Sequence, residues 1–189
     1  IGPIGEPLWG GEHFTGDFDL GYTQVRWSPT GLAQPPFWQV CSENMPTLPI
    51  DTAGHSQVLL YDDDSQPWPI GFSFPFMGDA YSSVNIGSNG YVDFSSGGDT
   101  AHETDLYMFF QESRIAGFMT DLDPEAGGQV LAGNGPGGSF VITYQDVPLY
   151  YQTYDVDMQI LLHPDGAIEM AWIGGIPADG VVGISDGTG

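Results

Sequence analysis

Short segments in which apolar and polar residues alternate recur along this chain, and turn-forming residues separate them about every 8 to 12 residues. In the clearest segment, residues 155–162, every even-numbered residue from Val156 to Leu162 is apolar. A turn containing proline and glycine, residues 163–166, leads into a second alternating segment at residues 167–173. Because each segment has one apolar face, the pattern predicts an antiparallel β-hairpin here.

A second hairpin is predicted at residues 81–95, where Asn89-Gly90 is the strongest two-residue turn signal in the chain. Further strands are predicted at residues 22–28, 37–41, 57–61, 70–76, 114–119, 129–132, 139–147 and 181–185. The clearest helical spacing of apolar residues lies at residues 104–113, enough for one or two helical turns. So many strands with very little helix predict an all-β fold, a jelly-roll-like β-sandwich of two antiparallel sheets.

The chain of 189 residues is long enough for one large domain with its own core. Its first 55 residues are richer in proline, glycine and tryptophan and less regular than the rest. We therefore predict an irregular N-terminal extension at residues 1–55, packed on a β-sandwich domain at residues 56–189. We also expect the chain to be a mature segment or an excised domain, part of a larger multidomain protein or assembly.

Basic residues are nearly absent, and this limits the kinds of partner that the chain can bind. The chain has 25 acidic residues against two arginines and no lysine, for a net charge of −23. Lysine-dependent chemistry such as a Schiff base is therefore excluded, and nucleic acid would find no basic surface. An anionic membrane surface would repel the chain, and no apolar stretch of ~20 residues predicts insertion. Partners should be neutral, cationic or bridged by metal ions.

The single cysteine, Cys41, lies in an apolar run and is predicted to be a small buried side chain. Motifs that resemble catalytic ones lack their structural context. The G-x-S-x-G match at residues 183–187, for example, has no helix-forming segment after it. The sequence therefore shows no catalytic constellation, and we expect no enzymatic activity.

Two acidic segments are candidate sites for a hard cation such as Ca²⁺, which binds carboxylate oxygens. In the first, three carboxylates at alternating positions follow a predicted strand: Asp121, Asp123 and Glu125. In the second, three consecutive carboxylates follow another predicted strand: Asp62, Asp63 and Asp64. Neighbouring carboxylates repel each other unless a cation or water intervenes. The alternative is that both segments are solvated acidic turns.

Aromatic residues beside proline or in predicted loops are candidate contacts for a ligand. Tyr150, Tyr151 and Tyr154 lie between two predicted strands, and Trp68 is flanked by prolines. Sugar rings stack on flat aromatic faces, so these residues could bind a glycan. The alternative is that they cover the ends of the sandwich as part of its core.

Seven short motifs from Asp62 to Gly187 follow one another in an order that resembles a known family. They begin at Pro69 (PIGFSFPFMG), Val84 (VNIGSNGYVDF), Arg114 (RIAGFMTDLD), Phe140 (FVITYQDV), Met158 (MQILL), Asp165 (DGAIE) and Val182 (VGISDG). This stretch resembles the nidogen-type extracellular domain, NIDO, and its bacterial secreted counterparts. The resemblance implies an extracellular, non-catalytic module of adhesive or matrix proteins and of large bacterial secreted proteins.

Taken together, these features lead to one principal hypothesis: a secreted adhesion or recognition module at the cell surface, stabilised by Ca²⁺, that binds a glycan or a surface protein. Two alternatives stay open. One is a polysaccharide-active enzyme or its carbohydrate-binding module. The other is a structural subunit of an extracellular fibre or surface layer, joined through its edge strands and N-terminal segment.

Overall fold

The computed structural model describes residues 10–30 and 37–189. These residues form two antiparallel sheets, one short α-helix, α1 (Leu106–Phe110), and a 3-10 turn at Pro136–Gly138, which confirms the predicted all-β sandwich. The strands are β1 (Gly10–Thr15), β2 (Thr23–Thr30), β3 (Phe37–Asn44), β4 (Ser56–Val58), β5 (Ser65–Phe76), β6 (Asp79–Gly87), β7 (Tyr91–Asp93), β8 (Ser113–Met119), β9 (Gln129–Asn134), β10 (Phe140–Pro148), β11 (Asp155–Leu162), β12 (Ile168–Ile173) and β13 (Asp179–Asp186).

The six-stranded sheet has the order β1-β13-β8-β7-β6-β5, and the seven-stranded sheet has the order β3-β2-β12-β11-β10-β9-β4. Both predicted hairpins are present, as β11 with β12 and as β6 with β7. The register of the first places Met158 opposite Trp172 and Ile160 opposite Met170. The apolar faces read from the sequence are therefore paired with each other in the sheet.

The N-terminal segment supplies strands to both sheets. Within the predicted N-terminal extension, residues 1–55, the structure forms β1, β2 and β3, and β2 and β3 lie where strands are predicted at residues 22–28 and 37–41. Strand β1 pairs with β13 in one sheet, and β2 pairs with β12 in the other. Both make continuous ladders despite the glycines and prolines around them. The remainder of that prediction, residues 1–9 and 31–36, lies outside the described residues, and the domain boundary stays a prediction.

Apolar side chains from both sheets fill the space between them, and two polar side-chain atoms cross it. The Trp172 indole nitrogen on β12 donates a hydrogen bond of 2.8 Å to the carbonyl of Gly117 on β8. The Tyr144 hydroxyl on β10 donates one of 2.6 Å to the carbonyl of Gly87 at the end of β6. Both side chains are fully buried, so these bonds fix the position of one sheet on the other.

A second, smaller apolar cluster lies on the six-stranded sheet, beneath helix α1. Asp105 caps this helix by accepting a hydrogen bond of 2.7 Å from the Met108 backbone nitrogen. Phe109 is fully buried there and packs with Tyr91, Met119 and other residues of the sheet. The helix thus covers apolar side chains on the face of this sheet that points away from the seven-stranded sheet.

Cys41 is exposed, so the prediction of a buried thiol is wrong. It lies on β3, the outermost strand of the seven-stranded sheet, whose side chains are almost all exposed. The apolar run around Cys41 correctly predicts a strand, but it contains no information on whether that strand lies at the centre or at the edge of the sheet.

Glu169 on β12 gathers polar side chains on the seven-stranded sheet. Arg26 and Gln24 on β2 donate hydrogen bonds to its carboxylate, and His163 Nε2 lies 3.3 Å from Oε1. The close contact with His163, with added attraction from Arg26, lowers the pKa of Glu169 against the opposing effect of burial. The native state therefore favours the ionised form of Glu169.

We expect Glu169→Gln to lower the free energy of unfolding at pH 7 by about 1–2 kcal/mol, because charge-assisted bonds are lost and Arg26 is 40% exposed. Because the pKa of Glu169 is lowered in the native state, its contribution to the free energy of unfolding is present at neutral pH. This contribution is lost as the pH falls through the native pKa of Glu169. Urea unfolding at several pH values should show the difference from the native sequence shrinking in acid. Glu12→Gln, an exposed residue of β1, is the control. A difference independent of pH would contradict this assignment.

Candidate metal centre

The two acidic segments predicted separately from the sequence meet in the fold. Asp62 and Asp63 lie in the turn between β4 and β5, and Asp121 is the second residue after the end of β8. One carboxylate oxygen from each of these three residues lies within 4.8 Å of the other two. We call this group the three-Asp cluster. Carboxylate oxygens at such separations can coordinate one cation together.

Asn89, in the turn between β6 and β7, holds both acidic segments in place. Its side-chain nitrogen donates a hydrogen bond of 2.8 Å to Asp63 Oδ1, and its side-chain oxygen accepts one of 2.9 Å from the Leu122 backbone nitrogen. Its backbone carbonyl accepts a further bond of 3.2 Å from the Thr120 nitrogen. Asn89 is fully buried, so it is a rigid support beneath the three-Asp cluster.

The cluster is electrostatically unfavourable without a cation. Burial, followed by repulsion from Asp63, raises the pKa of Asp62. Burial also raises the pKa of Asp121, against the attraction of His102, and repulsion from Asp63 and Asp62 adds to the rise. Asp62 Oδ1 is inaccessible to solvent and has no hydrogen-bond partner. Ionised carboxylates in such positions gain most from a bound cation.

His102 also reaches this site. Its Nδ1 lies 3.2 Å from Asp63 Oδ2, and both side chains are partly exposed. It comes from the long segment between β7 and α1, and its place in the sequence gives no indication of the contact. The role of Asn89 is also not visible in the sequence, because the Asn-Gly signal predicts the turn but not the hydrogen bonds of the Asn89 side chain.

The other three predicted metal ligands lie outside the three-Asp cluster. Asp64 accepts hydrogen bonds from the backbone nitrogens of Tyr61 (3.2 Å) and Ser65 (2.8 Å) and thus closes its own turn. Asp123 Oδ1 accepts bonds of 3.0 Å from the backbone nitrogens of the second and third residues after it. Glu125 is exposed beside a groove of about 150 Å³. Asp123 and Glu125 act on the cluster as nearby charges, since both raise the pKa of Asp62.

The tyrosine loop, residues 149–154 between β10 and β11, joins the site through Asp121. The Tyr150 backbone nitrogen donates a hydrogen bond of 2.9 Å to the Asp121 carbonyl oxygen. The rings of Tyr150 and Tyr151 lie 4.3 Å apart between centroids, and Tyr151 is 92% exposed. A hydrogen bond with Tyr151, with repulsion from Asp62 and Asp121, raises the pKa of Tyr150 to about 12. The half-buried Tyr150 therefore lies next to the carboxylates, and the exposed ring of Tyr151 packs beside it.

The remaining predicted ligand contacts differ from one another in position. Tyr154 is 53% exposed at the end of the tyrosine loop. Trp68 lies on β5, at the edge of the six-stranded sheet, and is a partly buried residue that packs against the main core. The three tyrosines thus share one loop, in which the rings of Tyr150 and Tyr151 contact each other, whereas Trp68 has a packing role on a different element.

Fold and site together define a β-sandwich module with an acidic, aromatic-flanked surface site. The sequence profile of the family described as NIDO related matches residues 43–189, more than three quarters of the chain. The chain belongs to this family, which confirms the resemblance in the sequence. No curated protein and no solved structure matches it. Such domains are typically extracellular, and none of the helical segments in the described residues is long and apolar enough to cross a membrane.

We expect Asn89→Ala to lower the free energy of unfolding by about 2–3 kcal/mol, because two side-chain hydrogen bonds are lost and the buried Leu122 backbone nitrogen is left without a partner. Chemical denaturation measures this loss. The control is Asn44→Ala, which removes the same group from an exposed position on β3. Equal stability of the two variants would show that Asn89 does not support the site.

Proposed function

We propose that this chain is a non-catalytic extracellular recognition module that binds Ca²⁺ at the three-Asp cluster and presents the tyrosine loop to a glycan or a surface protein. The observation that supports this most is the convergence of Asp62, Asp63 and Asp121 within 4.8 Å. The raised pKa values of Asp62 and Asp121 add to it, because a divalent cation would stabilise the ionised carboxylates, which burial and then mutual repulsion disfavour.

Ca²⁺ fits this donor set better than other common cations. It takes six to eight oxygen ligands in flexible geometry, and three carboxylates supply up to six oxygens, with water available to complete the shell. Soft metals prefer cysteine, and the exposed Cys41 lies on another element. A site at the surface with three protein ligands should bind weakly, with a Kd of about 10⁻⁴ to 10⁻³ M, as extracellular modules do.

The tyrosine loop supports the recognition half of the proposal. Tyr151 and Tyr154 expose large aromatic surfaces, and Tyr151 adopts a backbone conformation with φ of 51°, which is rare for a residue with a side chain. Such local strain is often found at binding sites. A cation bound at Asp121 would neutralise the charge below this loop and hold it through the bond between Tyr150 and Asp121.

Melting temperatures in excess chelator and in millimolar Ca²⁺ test the metal. At 100 times its Kd, Ca²⁺ should stabilise the protein by about 2.7 kcal/mol, a rise of about 8 °C for a chain of this size. Asp121→Asn should melt at one temperature in both conditions, and in chelator it should melt above the native sequence because a repelling charge is gone. Asp79→Asn, at the exposed start of β6, should keep the full response. An unchanged melting temperature for the native sequence would refute the metal proposal.

A glycan array probed in Ca²⁺ and in chelator tests recognition. We expect binding that requires Ca²⁺ and that Tyr151→Ala abolishes, because stacking on this exposed ring is lost. Tyr107→Ala, which removes a ring that is 72% exposed on helix α1, is the matched control. Binding of a surface protein instead of a glycan would show the same dependence on Ca²⁺ and on Tyr151.

Glycan hydrolysis is the second candidate function. Glycosidases use two carboxyl groups beside the sugar, and Asp121, whose pKa is raised, lies close to Asp63 next to the tyrosine loop. Release of reducing ends from a polysaccharide by the native sequence, and its loss in Asp121→Asn, would favour this function over recognition.

A further inference from the structure

The edges of the two sheets differ in how they are protected against pairing with another chain. Strand β5 carries Pro67, Pro69 and Pro75 and a shift of register, and β4 has only three residues. Strand β1 contains two consecutive glycines, which weaken a strand. Prolines, bulges, shortness and lysines are the usual devices that prevent edge pairing.

Strand β3 has none of these devices. It runs for eight residues without proline or lysine, and its ladder with β2 continues from end to end without a shift of register. Phe37 is 55% exposed and Val40 is 49% exposed, and Glu43 is the one charged residue on the strand. Among the described residues no strand pairs with the outer side of β3, so its backbone groups form a regular, nearly neutral template for another strand.

We propose that β3 pairs with β3 of a second copy of this chain, as antiparallel strands centred on Cys41, and that a disulfide between the two Cys41 residues locks the pair. A two-fold axis at Cys41 places each Cys41 opposite the other, so the same strand serves as both partners of the pair. Residue 39 then lies opposite residue 43, so each Glu43 faces the neutral Gln39 of the other copy and no like charges meet. Gln39 lies on the same face as Cys41, with its side-chain nitrogen 4.0 Å from the sulfur.

Cysteine geometry agrees with this register. Directly opposed residues in antiparallel strands have Cα atoms about 4.5–5.5 Å apart, which lies within the range of about 4.4–6.8 Å that disulfides span. The covalent bond is needed, because an eight-residue edge is a strip about 26 Å long and one strand spacing, about 4.8 Å, wide. That is far less than the ~1,200 Å² of a stable interface, and the net charge of −23 on each copy adds repulsion.

The oxidant is a small disulfide such as oxidised glutathione, of the kind present where extracellular proteins mature. The Cys41 thiolate attacks it and forms a mixed disulfide, releasing one glutathione. The thiolate of the second copy then displaces the other glutathione. Two Cys41 thiols are oxidised, one glutathione disulfide is reduced, and both protons end on glutathione.

Gel filtration with light scattering and non-reducing electrophoresis of the full chain, incubated with oxidised and reduced glutathione at low ionic strength, test the proposal. We expect a disulfide dimer that Cys41→Ser cannot form. Gln39→Lys should form it about tenfold faster than Gln39→Glu, because two cross-strand pairs with Glu43 become attractive in one variant and repulsive in the other. Gln57→Lys and Gln57→Glu, at the opposite edge of the same sheet, should differ little.

A chain that stays monomeric, or that stops at the mixed disulfide, would overturn the proposal. A dimer whose rate is the same in the two residue 39 variants would also overturn it, since random collision of exposed thiols would not depend on the register. Binding of Ca²⁺ plays no part in either outcome, so the result is independent of the proposed function.

Discussion

Gly90→Ala should destabilise this protein by about 3–5 kcal/mol, as measured by urea unfolding. Gly90 has a φ of +80°, and an added Cβ would lie 2.0 Å from the backbone oxygen of Phe118. Backbone atoms cannot move aside as a flexible side chain can. The carbonyl of Gly90 also accepts hydrogen bonds from the nitrogens of Gly117 and Phe118, so a shift of this turn would disturb β8.

Gly71→Ala separates the cost of the positive φ from the cost of the clash with the Phe118 oxygen. Gly71 on β5 has a φ of +90°, but an added Cβ would meet no atom within 4 Å. The variant should therefore lose only about 1 kcal/mol, the cost of the backbone conformation alone. Similar losses for the two variants would show that the contact with Phe118 is not the reason for the glycine. Because Asn89 precedes Gly90, Gly90→Ala should also weaken the response to Ca²⁺, whereas Gly71→Ala should leave it unchanged.

Arg114→Met should cost about 3–5 kcal/mol, because it leaves the carboxylate of Asp99 without its partner in a largely buried position. Arg114 is 1% exposed, and its Nη2 lies 2.8 Å from Asp99 Oδ2, an ion pair whose angles are not those of a hydrogen bond. The guanidinium also lies over the Tyr91 ring, 5.1 Å from its centroid. The pair fastens the segment between β7 and α1 to the sheet.

Two further variants make this prediction specific. Arg114→Met combined with Asp99→Asn should recover much of the lost stability, since the carboxylate without a partner is then removed as well. Arg26→Met changes the other arginine of the chain, which is 40% exposed, and should cost only about 1 kcal/mol. If the double variant is as unstable as Arg114→Met alone, the loss comes from packing around the side chain and not from the charge of Asp99.

The alternation of apolar and polar residues was sufficient to predict the sheets, since burial between two layers imposes it on each strand. The segment 155–173 shows this best, because its predicted faces are the ones that pair in β11 and β12. Strand β1 was not predicted because its consecutive glycines carry no alternation. The predicted burial of Cys41 is wrong because an apolar run looks the same in a central strand and in an edge strand.

The site could be predicted only in part. Each acidic segment is visible in the sequence, but their proximity depends on which strands are neighbours in the sheet, and no local pattern contains that information. Asn89 and His102 enter the site through side-chain contacts across 26 and 39 residues of chain. Asp64 and Asp123 look like ligands in the sequence but bind their own turns, a role that aspartate often has.

Titration of the calcium-free protein with Ca²⁺ in a calorimeter tests the central claim most directly. We expect one Ca²⁺ per chain with a Kd of about 10⁻⁴ to 10⁻³ M, unchanged in Asp79→Asn and abolished in Asp121→Asn. If the native sequence binds no Ca²⁺, or if Asp121→Asn binds it as well as the native sequence does, the three-Asp cluster is not a calcium site.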